Sequence, residues 1–459
     1  MSWSVVAGLL IIGLALWALT YGYEVRFVLL LAACVLAALG QKPEVIIITF
    51  LQGMADATSI VPICSAMGFA YVIRAYGCDR ELVKALTRPL LHAQYFLIPG
   101  TILVGFLVNI TIISHTSTSL AVGTGLIPLL RNLGLRAVII GSALVLGASI
   151  GGELLNPGAP ELVAIANKLK IETNSLVPEI AKVVFLHLAI AILVYALLWR
   201  KDFYQLNTLN TSTGIEDTLV PTKQDAAQSF HEHESNIRWH LAIVPLVPIA
   251  ILMLFGPPLN VFQFPSHWLL GVAEKSELYA PRLIGLSMLI GCLAACLAVP
   301  RQFATVATHF FDGAGYGYIH IISLIVVAKC FSEGIKLSGI AAYIAQLAEV
   351  LPVLLLPLAA VMTAFLAFVS GSGIGATQGL YPLLADVALQ QQINPIHVGV
   401  LCCVGAAAGL TASIVAAVTL MCARLTDTKP WDLSKRVILP LVCALAFSIL
   451  VVMVRQMMQ

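Results

Sequence analysis

Gly151-Gly152-Glu153-Leu154-Leu155-Asn156-Pro157-Gly158-Ala159-Pro160-Glu161 interrupts a long apolar run. Pro157 and Pro160 carry no backbone N–H, and each restricts the residue before it, so a helix entering the stretch cannot run through it. The reading is a broken helix whose two half-helix ends face each other. A half-helix N-terminus favours an anion, and exposed carbonyls favour a cation. Pro160 and Glu161 open the second half-helix, where Glu161 can cap the positive end. Glu153 and Glu161 are candidates for binding a coupling cation or carrying a proton, because an intramembrane carboxylate is costly unless paired or hydrated. Asn156, Pro157 and Gly158 are candidate ligand contacts. The same residues also suit an ordinary extramembrane loop, since 167–178 is polar too. The placement of the stretch, one span after a hydroxyl-rich segment, favours the broken helix.

The surroundings are those of a membrane protein. Of 459 residues, 59% are apolar and only 10% charged, with a mean hydropathy of +0.96. Soluble domains carry about 25% charged residues. Apolar runs fall near 3–20, 25–41, 57–75, 94–113, 137–152, 179–199, 240–256, 283–300, 315–336, 351–369, 397–423 and 438–455. A span needs about 20 apolar residues, so most of the chain lies in lipid. The first run has no basic region before it and no small-residue cleavage site, and reads as a retained span. Residues 201–238 form the one long polar stretch and read as a solvated linker between a half at 1–200 and a half at 239–459.

The two halves repeat the same unlike elements in the same order. Phe50-Leu51-Gln52-Gly53 resembles Phe310-Phe311-Asp312-Gly313. Each is followed by a span and then by an amphipathic segment, 78–92 and 334–351. In the first of these, Arg80, Lys84 and Arg88 recur on one helical face, as in a helix lying at the interface. Next comes a Ser/Thr/Gly-rich stretch ending in Pro-Leu-Leu, 114–130 against 368–384. These stretches are too polar for plain lipid-facing helices and read as re-entrant hairpins, because irregular backbone survives at membrane depth only in a cavity or within protein. Close helix packing is the alternative, since small residues serve that too. His115, Ser117, Thr118, Ser119, Gly123 and Thr124 are the candidate residues of the first hairpin; His115 suits a proton or ligand contact. Ser370, Gly371, Ser372, Gly373 and Thr377 are those of the second, in a stretch that also holds Gly375, Gln378 and Gly379. The counterpart of the proline-rich break is 405–415, with Gly405, Gly409, Thr411 and Ser413, where neither proline nor charge occurs.

Several functions are excluded. There is no G-x-x-x-x-G-K-[ST] to bind ATP, no G-x-S-x-G and no zinc motif, so an enzyme is not expected. No basic patch points to nucleic acid. The ten cysteines lie mostly inside apolar runs with no C-x-x-C pair, so neither disulfides nor a metal site is expected. His231-Glu232-His233-Glu234 reads as solvated loop. Lys329 and Glu333 have the spacing of an i,i+4 ion pair. Arg74, at the end of its run, reads as a snorkelling interface residue.

The order of hydroxyl-rich hairpin, Pro-Leu-Leu, Gly/Ala-rich span and Pro-Gly-acid break resembles the anaerobic C4-dicarboxylate carriers of the Dcu-C type, within the ion-transporter superfamily. The likeness is strongest in SLAVGTGLIPLL (119–130) and LNPGAPELVAIANKL (155–169). It implies transport or exchange of succinate, fumarate, malate or aspartate. It also implies a scaffold domain, a moving transport domain, two re-entrant hairpins and often a homodimer. Here the break reads Asn156-Pro157-Gly158-Ala159-Pro160-Glu161 and the second break lacks proline, which leaves the substrate more open than the class.

Arg424, Lys429, Lys435 and Arg436 read as cytoplasmic, as do Arg131 and Arg136 beside the first hairpin, whereas 386–396 has no basic residue. The hairpins should then open to opposite sides, as inverted repeats require. Arg80, Lys84 and Arg88 disagree with that count, so one run is miscounted or two runs are not equivalent. The expectation is an all-α polytopic protein of a bacterial inner membrane, with two inverted repeats, each holding a re-entrant hairpin and a broken helix. It is expected to be a secondary transporter of C4-dicarboxylates by exchange or cation symport, with no cofactor beyond Na+ or H+ as coupling ion. A sodium/proton antiporter or a carrier of another carboxylate is the rival within the class, and a channel the rival outside it.

Overall fold

The computed structural model describes residues 3–21, 23–89, 96–132, 134–212, 237–255, 261–262, 264–270, 278–340 and 354–458. Among these residues every regular element is helical. The first half runs α1 (Trp3–Thr20), α2 (Val25–Leu39), α3 (Glu44–Met54), α4 (Ala57–Ala75), α5 (Cys78–Thr87), α6 (Leu97–Thr111), α7 (His115–Asn132), α8 (Ala137–Ser149), α9 (Pro160–Leu169) and α10 (Thr173–Ser212). The second runs α11 (Trp239–Ala242), α12 (Val247–Phe255), α13 (Ser266–Leu269), α14 (Tyr279–Ala298), α15 (Val306–Gly317), α16 (Ser323–Leu337), α17 (Leu355–Ser370), α18 (Gly373–Gln390), α19 (Pro395–Ala412), α20 (Ala417–Thr426) and α21 (Pro430–Met457).

Seven helical stretches among the described residues are long and apolar enough to cross a membrane, and six shorter apolar helices accompany them. The chain is an all-α polytopic membrane protein. Two of the seven stretches contain the helix breaks, Ala137–Leu169 and Pro395–Thr426, and their apolar windows are 94% and 89% buried, against 33–61% for the other five. The broken helices therefore form the interior, and the unbroken spans present one face to lipid.

Packing is reciprocal between the halves. α2 lies against α16 and α14 against α4; α3 lies against α16 and α15 against α4; α10 lies against α21. Helices α6 and α7, joined by 112–114, form a hairpin that packs on α8 of its own half and reaches α20 of the other. Helices α17 and α18, joined by Gly371 and Ser372, pack on α19 and reach α9. Small residues bring these backbones together, as in lipid-embedded helix pairs generally. A Cβ on Gly147 would stand 2.7 Å from the Ile102 carbonyl oxygen, and one on Gly409 2.0 Å from that of Ala364.

Several expectations change. The broken helix at 150–159 is present, with a 3₁₀ turn at Gly152–Leu155 inside it. The second break is displaced: α19 continues through Gly405 and Gly409 to Ala412, and the chain turns extended at Ser413 and Ala416. Those glycines serve the contact with α17. Lys329 pairs with Asp56 at 2.8 Å, and Glu333 with Lys336 at 2.9 Å, so the i,i+4 pairing is replaced by a contact between halves. Helix α3 lies between two expected runs and alters the span count. Helix α10 continues to Ser212, into the stretch read as linker; residues 213–236, with His231 to Glu234, lie outside the described residues, as do 341–351 of the second amphipathic segment.

Candidate functional site

The first break is built by its own sequence. Helix α8 ends as Gly151 takes φ +109, a conformation that favours glycine. Pro160 starts α9 at its first turn, where the missing N–H is not needed. Between them the Asn156 amide ties the segment down. Its Nδ2 donates to the Ile110 carbonyl at 2.9 Å, and its Oδ1 accepts the Gly158 N–H at 2.9 Å. The first hairpin tip is thereby fastened to the first break. Asn109 adds a second tie: its Oδ1 accepts the Glu153 N–H at 3.0 Å while its Nδ2 donates to the Ile112 carbonyl at 3.1 Å.

Three ionisable side chains meet there. His115 Nε2, in the first turn of α7, stands 2.9 Å from Glu153 Oε1. Glu161, in the first turn of α9, is close enough to feel the charges of both. Glu153 is 2% and Glu161 4% exposed, and one carboxylate oxygen of each has no hydrogen-bond partner among the described residues.

The second tip rests on the second break. Gly371 takes φ +67, and a Cβ there would stand 3.1 Å from the Ala416 nitrogen. Ser370 Oγ donates to the Leu366 carbonyl at 2.6 Å, and Ser372 Oγ caps α18 by accepting the Gly375 N–H at 3.1 Å. Gly373 lies against the Ala406 backbone. Thr377 is fully buried and its hydroxyl has no partner among the described residues. Ser434 Oγ donates to the Ala412 carbonyl at 2.7 Å, satisfying one acceptor that the broken helix exposes, and Ser413 Oγ accepts the Val415 N–H at 3.3 Å.

The two assemblies are then joined. The Thr411 hydroxyl lies 2.7 Å from the Ser149 carbonyl oxygen and 3.0 Å from Ser149 Oγ, so α8 and α19 meet where each breaks. Gln378 Nε2 of α18 donates to the Pro160 carbonyl at 2.8 Å. The N-termini of α7, α9, α18 and α20 are thus brought into one connected cluster. Each carries partial positive charge and unsatisfied N–H groups.

The remaining expected residues divide. Thr118 Oγ1 donates to the Ile112 carbonyl at 3.1 Å and shapes the tip; Ser117 lies half-buried one residue earlier. Ser119 is buried one turn into α7, beside Cys422 of α20. Gly123 and Thr124 lie deeper along α7: Gly123 packs against Leu425, and Thr124 is exposed with its hydroxyl turned to the Ala121 carbonyl. Pro157 is buried within the break. Asn109 and Ser149 were not singled out from the sequence; Gln378 was, as part of the second hairpin stretch. The signal for Asn109 was present, an amide inside the apolar run 94–113. Ser149 matters only through its partner on the other half.

A many-spanning helical protein with its dense polar cluster at broken helix ends has the build of a membrane transport protein. The sequence profile described as "DcuC: C4-dicarboxylate anaerobic carrier" matches residues 44–457. The chain belongs to this family, which is a family of transporters and not of enzymes. Among similar proteins, a probable anaerobic C4-dicarboxylate transporter DcuC of Vibrio cholerae is 22% identical over 84% of this chain and 80% of its own. The anaerobic C4-dicarboxylate transporter DcuC of Escherichia coli K12 is 21% identical over 83% of this chain and 77% of its own. An uncharacterized transporter of Haemophilus influenzae is 38% identical over 26% of this chain and 81% of its own. The chain is a multi-pass protein of a bacterial inner membrane.

Proposed function

We propose that this protein is a secondary transporter of C4-dicarboxylates such as succinate, fumarate, malate or aspartate, working by exchange or by cation symport. The observation that carries the proposal is the cluster of four helix N-termini at the hairpin tips and helix breaks. Main-chain N–H groups there, with Ser117, Asn156, Ser372 and Thr411 nearby, suit the two carboxylates of such a substrate. His115, Glu153 and Glu161 are the candidates for the coupling proton or sodium ion. The two halves act as inverted repeats, in keeping with their reciprocal packing. Helices α6–α10 and α17–α21 form a transport domain, and α1–α5 with α14–α16 a scaffold. Access alternates as the first group moves against the second, and a homodimer anchors the scaffold.

The test is uptake of labelled succinate and fumarate into proteoliposomes, with and without sodium and a pH gradient. Saturable uptake accelerated by internal dicarboxylate is expected. A channel gives no such acceleration. A sodium/proton antiporter, favoured only by the buried acidic cluster, gives pH-dependent sodium flux and no dicarboxylate uptake at any gradient.

A further inference from the structure

One repeated motif takes no part in the site at the helix breaks. Phe50-Leu51-Gln52-Gly53 of α3 matches Phe310-Phe311-Asp312-Gly313 of α15. Each glycine turns inward. A Cβ on Gly53 would stand 3.2 Å from Val326 Cγ2, and one on Gly313 2.4 Å from the Met67 carbonyl oxygen. The opposite faces of both helices are exposed. On α3 that face carries Ile47, Ile48 and Leu51, as suits contact with lipid tails. The matching positions of α15 carry Ala307, Thr308 and Phe311, and Gln52 is matched by Asp312. The same place in the two repeats therefore meets different surroundings.

Asp312 lies near the middle of the membrane. Its neighbour Gly313 meets Met67, close to the centre of the 19-residue span Ala57–Ala75. A helix of that length only just crosses the hydrocarbon core. The Asp312 carboxylate is exposed and has no hydrogen-bond or ion-pair partner among the described residues. A bare carboxylate is among the costliest groups to leave in hydrocarbon, so lipid does not cover it. Donors flank it. Tyr316 lies one turn along the same face of α15, and its ring meets those of Tyr71 at 5.8 Å and His320 at 4.3 Å. Arg74 follows Tyr71 by one turn of α4 and is exposed.

We propose that the outer face of α15 and α4, centred on Asp312, is where a second copy of this chain docks. The Asp312 carboxylate of each copy accepts from the Tyr71 and Tyr316 hydroxyls or the Arg74 guanidinium of the other. The face holds an acceptor and its donors side by side. A twofold axis along the membrane normal keeps every residue at its own depth, so the carboxylate of each copy comes level with the donors of the other. Such self-complementarity is what an isologous contact requires. Ala307 and Gly315 let the helices approach closely, and a Cβ on Gly315 would meet nothing within 4 Å in its own chain. Helix α15 packs chiefly on α4, so a partner there leaves α6–α10 and α17–α21 free to move. The proposal rests on the homodimer part of the functional reading and is independent of the cargo.

Two measurements test it. The first is crosslinking of Gly315→Cys by a short bis-maleimide in native membranes, in the full chain with its ten native cysteines as background and linked peptides read by mass spectrometry. Gly315→Cys should link to itself across two copies at least about tenfold more than Gly13→Cys, which also meets nothing within 4 Å but lies on α1. A dimer without the 315–315 link overturns this face and leaves the homodimer standing. A protein that bleaches in single steps, with one fluorophore per chain in bilayers, is monomeric and overturns both. Ready labelling of Gly315→Cys by a membrane-impermeant maleimide means that water covers Asp312, and also overturns the proposal. The second is the dimer dissociation constant in bilayers. Asp312→Leu should raise it at least about fivefold, Asp312→Asn should recover most of that, and Gln52→Leu on α3 should leave it unchanged. A constant unmoved by Asp312→Leu overturns the pairing.

Discussion

Asn156 shows how much of the site depends on single amides. Its side chain satisfies the Ile110 carbonyl near the end of α6 and the Gly158 N–H inside the break. Asn156→Ala leaves the buried Gly158 N–H unpaired, at ~1–3 kcal/mol, and frees the part-buried Ile110 carbonyl at a smaller cost. The expected outcome is a clear fall in melting temperature together with loss of uptake in proteoliposomes. Ser117→Ala is the contrasting case. Ser117 is half-buried at the tip and ties no second element, so the melting temperature should hold while KM rises about fivefold, the loss of one hydrogen bond to substrate. Normal transport by both variants would falsify the placement of the site.

Among elements, the pairing of α17 with α19 is the tightest. A Cβ on Gly409 would meet backbone at 2.0 Å, with no flexible side chain to give way. Gly409→Ala should therefore destabilise the protein by on the order of 1–3 kcal/mol or more, seen as lowered yield and an earlier thermal transition. Gly13→Ala, where nothing lies within 4 Å, should be neutral. Helix α5 gives a pH-dependent case. Burial pushes the Glu81 carboxyl up, but the Arg238 N–H and guanidinium and the Lys84 ammonium outweigh it and hold it below the usual carboxylate range. A depressed folded-state value means the contribution is present above the ordinary carboxylate range and is lost as pH falls through the depressed value. Thermal melts across acidic pH should show a slope that Glu81→Gln reduces, with Glu81→Gln also less stable at neutral pH. Not all of this was legible in the sequence. The first break was, because two prolines leave a helix no way through. The second was legible in existence but not in position, since 405–415 has neither proline nor charge to fix where the helix stops, and the α17 backbone beside Gly405 and Gly409 decides. Helix α3 was hidden because eleven residues opening on Glu44 carry too little periodicity to stand apart from their neighbours. The ties of Ser149 to Thr411 and of Gln378 to Pro160 join residues more than two hundred positions apart, and no local pattern announces them.

For the whole molecule the question is which contacts persist during transport. Asp386 of α18 touches Lys168 of α9 at 2.5 Å and Lys336 of α16 at 3.1 Å. The first contact lies within the proposed transport domain and the second crosses to the scaffold. A short bifunctional maleimide joining Lys168→Cys to Asp386→Cys should leave uptake intact, whereas one joining Lys336→Cys to Asp386→Cys should abolish it. Uptake that survives the second crosslink rules out relative motion of the two groups. The joining of the halves also bears on how the protein is made. Ser149 leaves the ribosome 262 residues ahead of Thr411, and Arg131 waits 295 residues for the Thr426 carbonyl that its guanidinium meets. At about 5–20 residues per second, roughly 15–60 seconds pass before those partners exist. Through that interval the first hairpin and the buried carboxylates of the first break sit in the bilayer or its insertion machinery without their cover. Biogenesis is therefore the stage at which this chain is most open to misassembly and to quality-control proteolysis, and slowing translation of the second half should lower its yield more than slowing that of the first.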